Sequence, residues 1–164
     1  MLTKISLKYG AISGLFIGCT MLTLFLLGFE TRGNSFVTVL NLLVTFSGSF
    51  LPIYMVRRAL GGEIVFKSAI RYGLSGAFMM AVVFAIITAI YYNFVNPNFA
   101  TKYLVDIEIS MKHNGATVEE INKELAQWRE DMSATNQTLK VFMSFSIIGA
   151  ILTLINALIL CKKD

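Results

Sequence analysis

The sequence predicts an all-α integral membrane protein, a four-helix bundle with an extracytoplasmic two-helix hairpin between its third and fourth spans. Three observations carry that expectation. The 164-residue chain is 55% hydrophobic, with a mean hydropathy of +0.67 and 15% charged residues, too apolar for an ordinary soluble domain. Four stretches are long enough to cross a bilayer core, which takes about 20 residues of helix. Within 10–29, 36–56, 72–94 and 141–161 they hold no Asp, Glu, Lys, Arg or His. The remaining segments sort by charge. Together these give a single membrane domain over 1–164, with spans at about 5–29, 36–56, 72–94 and 139–161 and an outer hairpin at about 98–133.

Orientation follows from the cations near span ends, which favour the cytoplasm. Lys4 and Lys8 precede the first span. Arg57, Arg58, Lys67 and Arg71 against Glu63 separate the second from the third, and Lys162 and Lys163 against Asp164 end the chain. These segments carry +6 in all, the link 30–35 is neutral, and the segment 95–140 carries −2. Both termini are therefore expected in the cytoplasm and 95–138 outside, in a cytoplasmic (inner) membrane. The basic balance thus reports topology. A nucleic-acid partner would need those cations on one soluble face, and none is expected.

Two junctions repeat a pattern: "LKYGAISGL" at 7–15 and "IRYGLSGAF" at 70–78. Each has a cation that can snorkel, an interfacial Tyr, then small residues. A duplicated two-span hairpin would write this twice, and so would any two inside-to-outside entrances. Gly10, Gly14 and Gly18 recur every four residues, as do Gly73, Ala77, Ala81, Ala85 and Ala89. Spacing by four puts each set on one helix face, and small residues let backbones approach closely in lipid. The expectation is that spans one and three pack through these stripes; the alternative is a homo-oligomer contact.

Polar groups within the spans are few, Asn41 and Asn156 being the largest, and Pro52 is expected to kink span two. "LFIGC" at 15–19 has Gly before Cys as a lipoprotein site does, but the apolar run continues past Cys19, so span one reads as an uncleaved anchor. Cys19 and Cys161 fall at different depths, which argues against a disulfide.

In the outer segment Asn96-Pro97 interrupts span three, and Asn98 is placed to cap a new helix. Phe99, Tyr103, Leu104, Ile107 and Met111 make one apolar face. "KHNG" at 112–115 reads as a helix end, and "TVEE" at 117–120 as a capping box. Val118, Ile121, Leu125, Trp128 and Met132 follow at helical spacing, and "SATNQT" at 133–138 reads as a polar return. The helices are expected to pack on each other, on lipid or on a partner, with Tyr103, Ile107, Leu125 and Trp128 as the candidate partner face.

Catalytic constellations are missing. His113 is the single histidine and reads as helix-end chemistry. No His/Cys/Asp/Glu cluster has metal-ligand spacing, and no phosphate-binding loop is present. Neither catalytic, cofactor nor metal residues are expected, and the chain does not read as an enzyme.

"LKYGAISGLFIG", "FKSAIRYGLSGAF", "IYYNFVNPNFATKYL", "MKHNGATVEEINKEL" and "ALILCKK" together resemble a family of small four-span inner-membrane proteins common in Bacteroidota, catalogued as a domain of unknown function. The resemblance covers essentially the whole chain. It implies four spans and an outer helical hairpin, and it carries no activity. Two functional expectations remain open: an accessory or interaction protein of the cytoplasmic membrane that uses the hairpin to meet an envelope partner, or a small transporter or channel subunit working as a homo-oligomer.

Overall fold

The computed structural model describes residues 1–27 and 35–161, without the side chains of 35–38 and 41. Six α-helices account for nearly all of them: α1 (Leu2–Leu26), α2 (Ser35–Ala59), α3 (Phe66–Ile90), α4 (Phe99–His113), α5 (Val118–Asp131) and α6 (Ala134–Leu160). A π-helical turn, Tyr91–Val95, extends α3. Among the described residues, three helical segments are long and apolar enough to cross a membrane: Leu2–Leu26, Phe66–Val95 and Ala134–Leu160. The expected end of span one at Phe29, the link 30–35 as far as residue 34, the Asn41 side chain and the pair Lys162-Lys163 lie outside the described residues.

Helix boundaries depart from the expected spans where polar residues join a helix rather than a loop. α3 starts at Phe66, not Tyr72, so Lys67 and Arg71 ride on its first turns. α6 starts at Ala134, not Leu139. The expected polar return is its first turn, with the Ser133 hydroxyl accepting from the Asn136 N–H at 3.3 Å. Pro52 lies inside an unbroken helix.

The chain divides into two compact units, 1–87 with 141–164, and 88–140. In the first, α1, α2, α3 and α6 pack together, and residue pairs give their directions. Ser6 hydrogen-bonds to the Tyr72 carbonyl and the Ser75 hydroxyl. Gly10 meets Gly76, Gly14 meets Met80 and Val83, and Gly18 meets Ile87. Both numbers rise together, so α1 and α3 are parallel. Gly73 meets Ile53 and Gly76 meets Pro52, while Gly48 meets Met80; α2 therefore runs against α3. Gly73 also meets Thr153, Gly149 meets Ala77, and the Phe84 and Phe145 rings touch at 4.6 Å, so α6 runs against α3 as well.

Two apolar clusters sit in this unit. One holds Ile53, Val56, Ile64, Ala69, Ala157 and Leu160; the other holds Ile17, Val44, Met80 and Phe84. Along each helix, small and polar residues fall between them: Gly10 and Ser13, Gly48 and Ser49, Gly73 and Gly76, Gly149 and Thr153. A Cβ on Gly10 would fall under 3.0 Å from the Gly76 carbonyl oxygen. Such approach is how helices gain dispersion contact where lipid removes any hydrophobic drive between them. Around this core, Leu15, Phe16, Phe78, Ile86, Ile147, Ile151 and Leu158 are exposed, a perimeter suited to acyl chains.

In the second unit, α4 packs on α5. α4 ends in a Schellman motif: Gly115, at φ +78°, donates to the Lys112 carbonyl, and Ala116 to that of Met111, both at 3.1 Å. That φ is one glycine adopts freely. At α5 the Thr117–Glu120 capping box forms in full. Asn98 occupies the N-cap of α4 without a side-chain cap bond. The turn from Asn96, whose carbonyl accepts from the Phe99 N–H at 3.1 Å, leaves Asn98 at φ −86° and ψ 3°, away from the extended conformation a capping side chain requires.

Candidate functional site

Two arrangements have chemistry beyond helix packing. The first is the hairpin. A series of ring contacts runs through it: Tyr91 to Tyr92 at 5.0 Å, Tyr92 to Phe99 at 5.1 Å, Phe99 to Tyr103 at 6.3 Å and Tyr103 to Trp128 at 5.6 Å. These separations suit edge-to-face and offset aromatic pairs. Asn96 Nδ2 donates to the Tyr91 hydroxyl at 2.9 Å, and Trp128 Nε1 to Glu124 Oε1 at 2.8 Å. At the far end, Asn136 Nδ2 and Gln137 Nε2 each donate at 2.8 Å to the carbonyls of Glu130 and Asp131. They add to the acceptors' partners in the last turn of α5, where the Glu130 carbonyl also takes the Ser133 N–H at 3.2 Å. Lys140 closes the junction with an ion pair to Asp131 at 3.1 Å.

Tyr103 is 5% exposed and its ring lies against Trp128; Ile107, Leu125 and Trp128 are half-buried. The Tyr103–Trp128 contact joins α4 to α5. Outward, α5 shows Glu119, Asn122, Lys123, Ala126, Gln127 and Glu130, while α4 shows Val105 and Ile109 between Lys102 and Lys112.

The second arrangement lies in the bundle. Ser49 and Asn156 are both fully buried, and Asn156 Nδ2 donates to Ser49 Oγ at 2.8 Å. The Ser49 hydroxyl proton is already given to the Phe46 carbonyl at 2.9 Å. Ser49 can therefore only accept, which fixes the amide orientation. Asn156 Oδ1 is left buried without a protein partner, as is Thr153 Oγ1 one turn away on the same face of α6. The sequence marks Asn156 as a rare polar group but not its partner: nothing in spacing pairs position 49 with 156. Several other hydroxyls bond back to their own helix as expected for Ser and Thr, Thr20 to Phe16 and Thr23 to Cys19 among them.

The small-residue stripes divide between neighbours. Gly10, Gly14 and Gly18 face α3, but they meet Gly76, Met80, Val83 and Ile87. Gly73 and Ala77 of the other stripe meet α2 and α6 instead. Ala77, Ala81 and Ala85 are buried and Ala89 is half-buried. Gly76 is the position that spacing by four from Gly73 passes over. At the repeated junctions each cation sits over the next ring, Lys8 at 5.7 Å from Tyr9 and Arg71 at 6.0 Å from Tyr72. The glycines that follow nonetheless face different helices.

Among the described residues no group of three or more His, Cys, Asp or Glu is placed to hold a metal ion. Cys19 and Cys161 are free thiols. A family model described as a protein of unknown function, DUF4199, matches residues 8–162. Neither the curated proteins nor the solved structures contain a match.

Proposed function

The chain belongs to the DUF4199 family, and on that premise we propose that it is a non-enzymatic accessory protein of the cytoplasmic membrane. In this reading it crosses the bilayer four times with both termini inside, and α2 is the fourth crossing. The charge split of the loops supports the orientation. The alternating directions of α1, α2, α3 and α6 support the crossing count. One observation carries the function: outside the apolar helices, the chain invests in a hairpin closed by rings, caps and side-chain-to-carbonyl bonds at both ends. A connection that only linked two spans would need none of this. Tyr103 and Trp128 are used inside, so the partner contact falls on the outward face of α5, at Asn122, Lys123, Ala126 and Gln127.

The test is crosslinking in native membranes from a photoreactive residue at Gln127, beside a chain lacking 99–133. One discrete envelope protein captured from position 127, and lost with the deletion, is the expected result. Self-crosslinks alone, the same with and without the hairpin, would reject the reading.

Asn156 favours a second reading, a small transporter or channel subunit acting as an oligomer. Its buried Oδ1 and the neighbouring Thr153 hydroxyl offer polar atoms inside an apolar bundle. Solute flux in proteoliposomes that is abolished by Asn156→Leu, with the fold intact, would move the weight to it.

A further inference from the structure

We infer that Asn156 Oδ1 and Thr153 Oγ1 hold one internal water molecule in the bundle, in a polar layer that apolar contacts bound on both sides along α6. Both residues are fully buried, and among the described residues both oxygens are without a protein partner. Flipping the amide does not cure this. Nδ2 is needed by Ser49, at 2.8 Å, and Ser49 has given its own proton to the Phe46 carbonyl. Oδ1 is therefore a pure acceptor that still lacks a donor. Thr153 does not bond back to its own helix as Ser13 does to the Tyr9 carbonyl. Its methyl is the group that faces Gly73, which leaves the hydroxyl turned elsewhere.

A buried oxygen in apolar surroundings is costly until it is hydrogen-bonded. Water meets the needs of this layer. It can donate to Oδ1 and accept from the Thr153 hydroxyl, and Ser49 keeps one lone pair for its second proton. Internal waters typically make about three hydrogen bonds. The neighbours set the ligand's size and charge. Towards the chain end of α6, Ala157 and Leu160 pack with Ile53 and Val56. In the other direction a Cβ on Gly149 would lie 3.0 Å from that of Ala77, so α6 and α3 close there. Ser146 Oγ, also buried without a partner, lies beyond that closure. An ion would need a countercharge, and the runs 10–29, 36–56, 72–94 and 141–161 hold no Asp, Glu, Lys, Arg or His. The ligand is therefore small and neutral. The inference needs the bundle alone and neither functional reading.

The test is magnetisation transfer from water to protein, by solid-state NMR on the full isotope-labelled chain in vesicles of phosphatidylcholine with phosphatidylglycerol. The Asn156 side-chain amide and the Thr153 Cβ should receive water magnetisation several-fold faster than Ile53 and Leu152, buried in the same two helices. Build-up no faster than theirs would mean a dry layer and overturn the inference. Thr153→Val keeps the shape and loses the hydroxyl, so it should bring Asn156 down to the rate of Ile53, with the α6 chemical shifts kept. Thr153→Ser should retain the fast transfer. Fast transfer that survives Thr153→Val would overturn the site as drawn. So would a soluble nickel chelate that broadens Asn156 as strongly as exposed Lys8, which would mean a layer open to solvent. A shift of the Asn156 signals when potassium replaces sodium would mean a cation there, and would overturn it too.

Discussion

The bundle and the hairpin are both helix packed on helix, yet they use opposite materials. In the bundle the closest contacts are made by absent side chains, Gly10 against Gly76 and Gly149 against Ala77. In the hairpin the contact between helices is made by the largest ones, Tyr103 against Trp128, with Phe99 stacked on Tyr103 within α4. In the proposed topology the solvent explains the difference. Lipid rewards no burial of apolar area, so helices there gain by bringing backbones together. Water does reward it, so a short helix pair gains most from burying rings. Termini differ likewise. α4 and α5 close their ends with a Schellman glycine and a capping box, where exposed amides compete with water. The N-caps of α1 and of α4 alike carry no side-chain bond, so the contrast lies at the turn between α4 and α5.

If that comparison holds, the strongest way to damage the bundle is to add a side chain, and the strongest way to damage the hairpin is to remove one. Gly10→Val puts atoms into the Gly76 carbonyl, a backbone group that can yield only if α1 and α3 move apart. The expected loss is about 3 kcal/mol, at the upper end for overpacking. It would be read as a lowered midpoint in an SDS titration followed by circular dichroism. Amide exchange in α4 and α5 should stay unchanged. A wild-type midpoint would mean that the α1–α3 approach does not hold the bundle.

Trp128→Ala is the converse. The indole is half-buried, so the loss should fall below that of a fully buried Trp, at about 2 kcal/mol. It should appear as faster amide exchange across α4 and α5, with the SDS midpoint of the bundle kept. Equal effects on both readouts would show that the two regions do not fold as separate units.

Legibility in the sequence divides along the same line. The capping box at Thr117 and the glycine end at Gly115 were readable because both are local chemistry, complete within four residues. The long apolar helices were readable because hydrophobic length is a one-dimensional property. Facing was not. Spacing by four from Gly73 ran through Ala77 and missed Gly76, because a helix with neighbours on three sides has more than one contact face and periodicity cannot say which neighbour meets which. The spacing assigned the hairpin's rings to apolar helix faces, but whether those faces met each other or a partner depended on tertiary pairing. The pairing of Ser49 with Asn156 was hidden altogether, since it joins positions 107 apart in the chain.

The smallest expected effect tests the hairpin's dependence on water-side capping. Glu120 accepts from the Thr117 backbone N–H and hydroxyl, both at 2.8 Å. Those bonds, the backbone one first, hold its carboxyl below the ordinary value of 4.5. A carboxyl lowered by folding contributes stability that is fully present above its unfolded value and lost as pH falls through the folded one. Amide exchange at the start of α5, corrected for the intrinsic rate, should therefore be constant from neutral pH down to about 5 and accelerate below 4.5. Glu120→Gln keeps the acceptor of the capping box but cannot ionise, so it should remove the step while leaving protection at neutral pH. The step should be modest, because the group is fully exposed to water, and it should be missing from α1 and α3, which carry no acid. Persistence of the step in Glu120→Gln would assign it to other acids of α5 and remove Glu120 from the account.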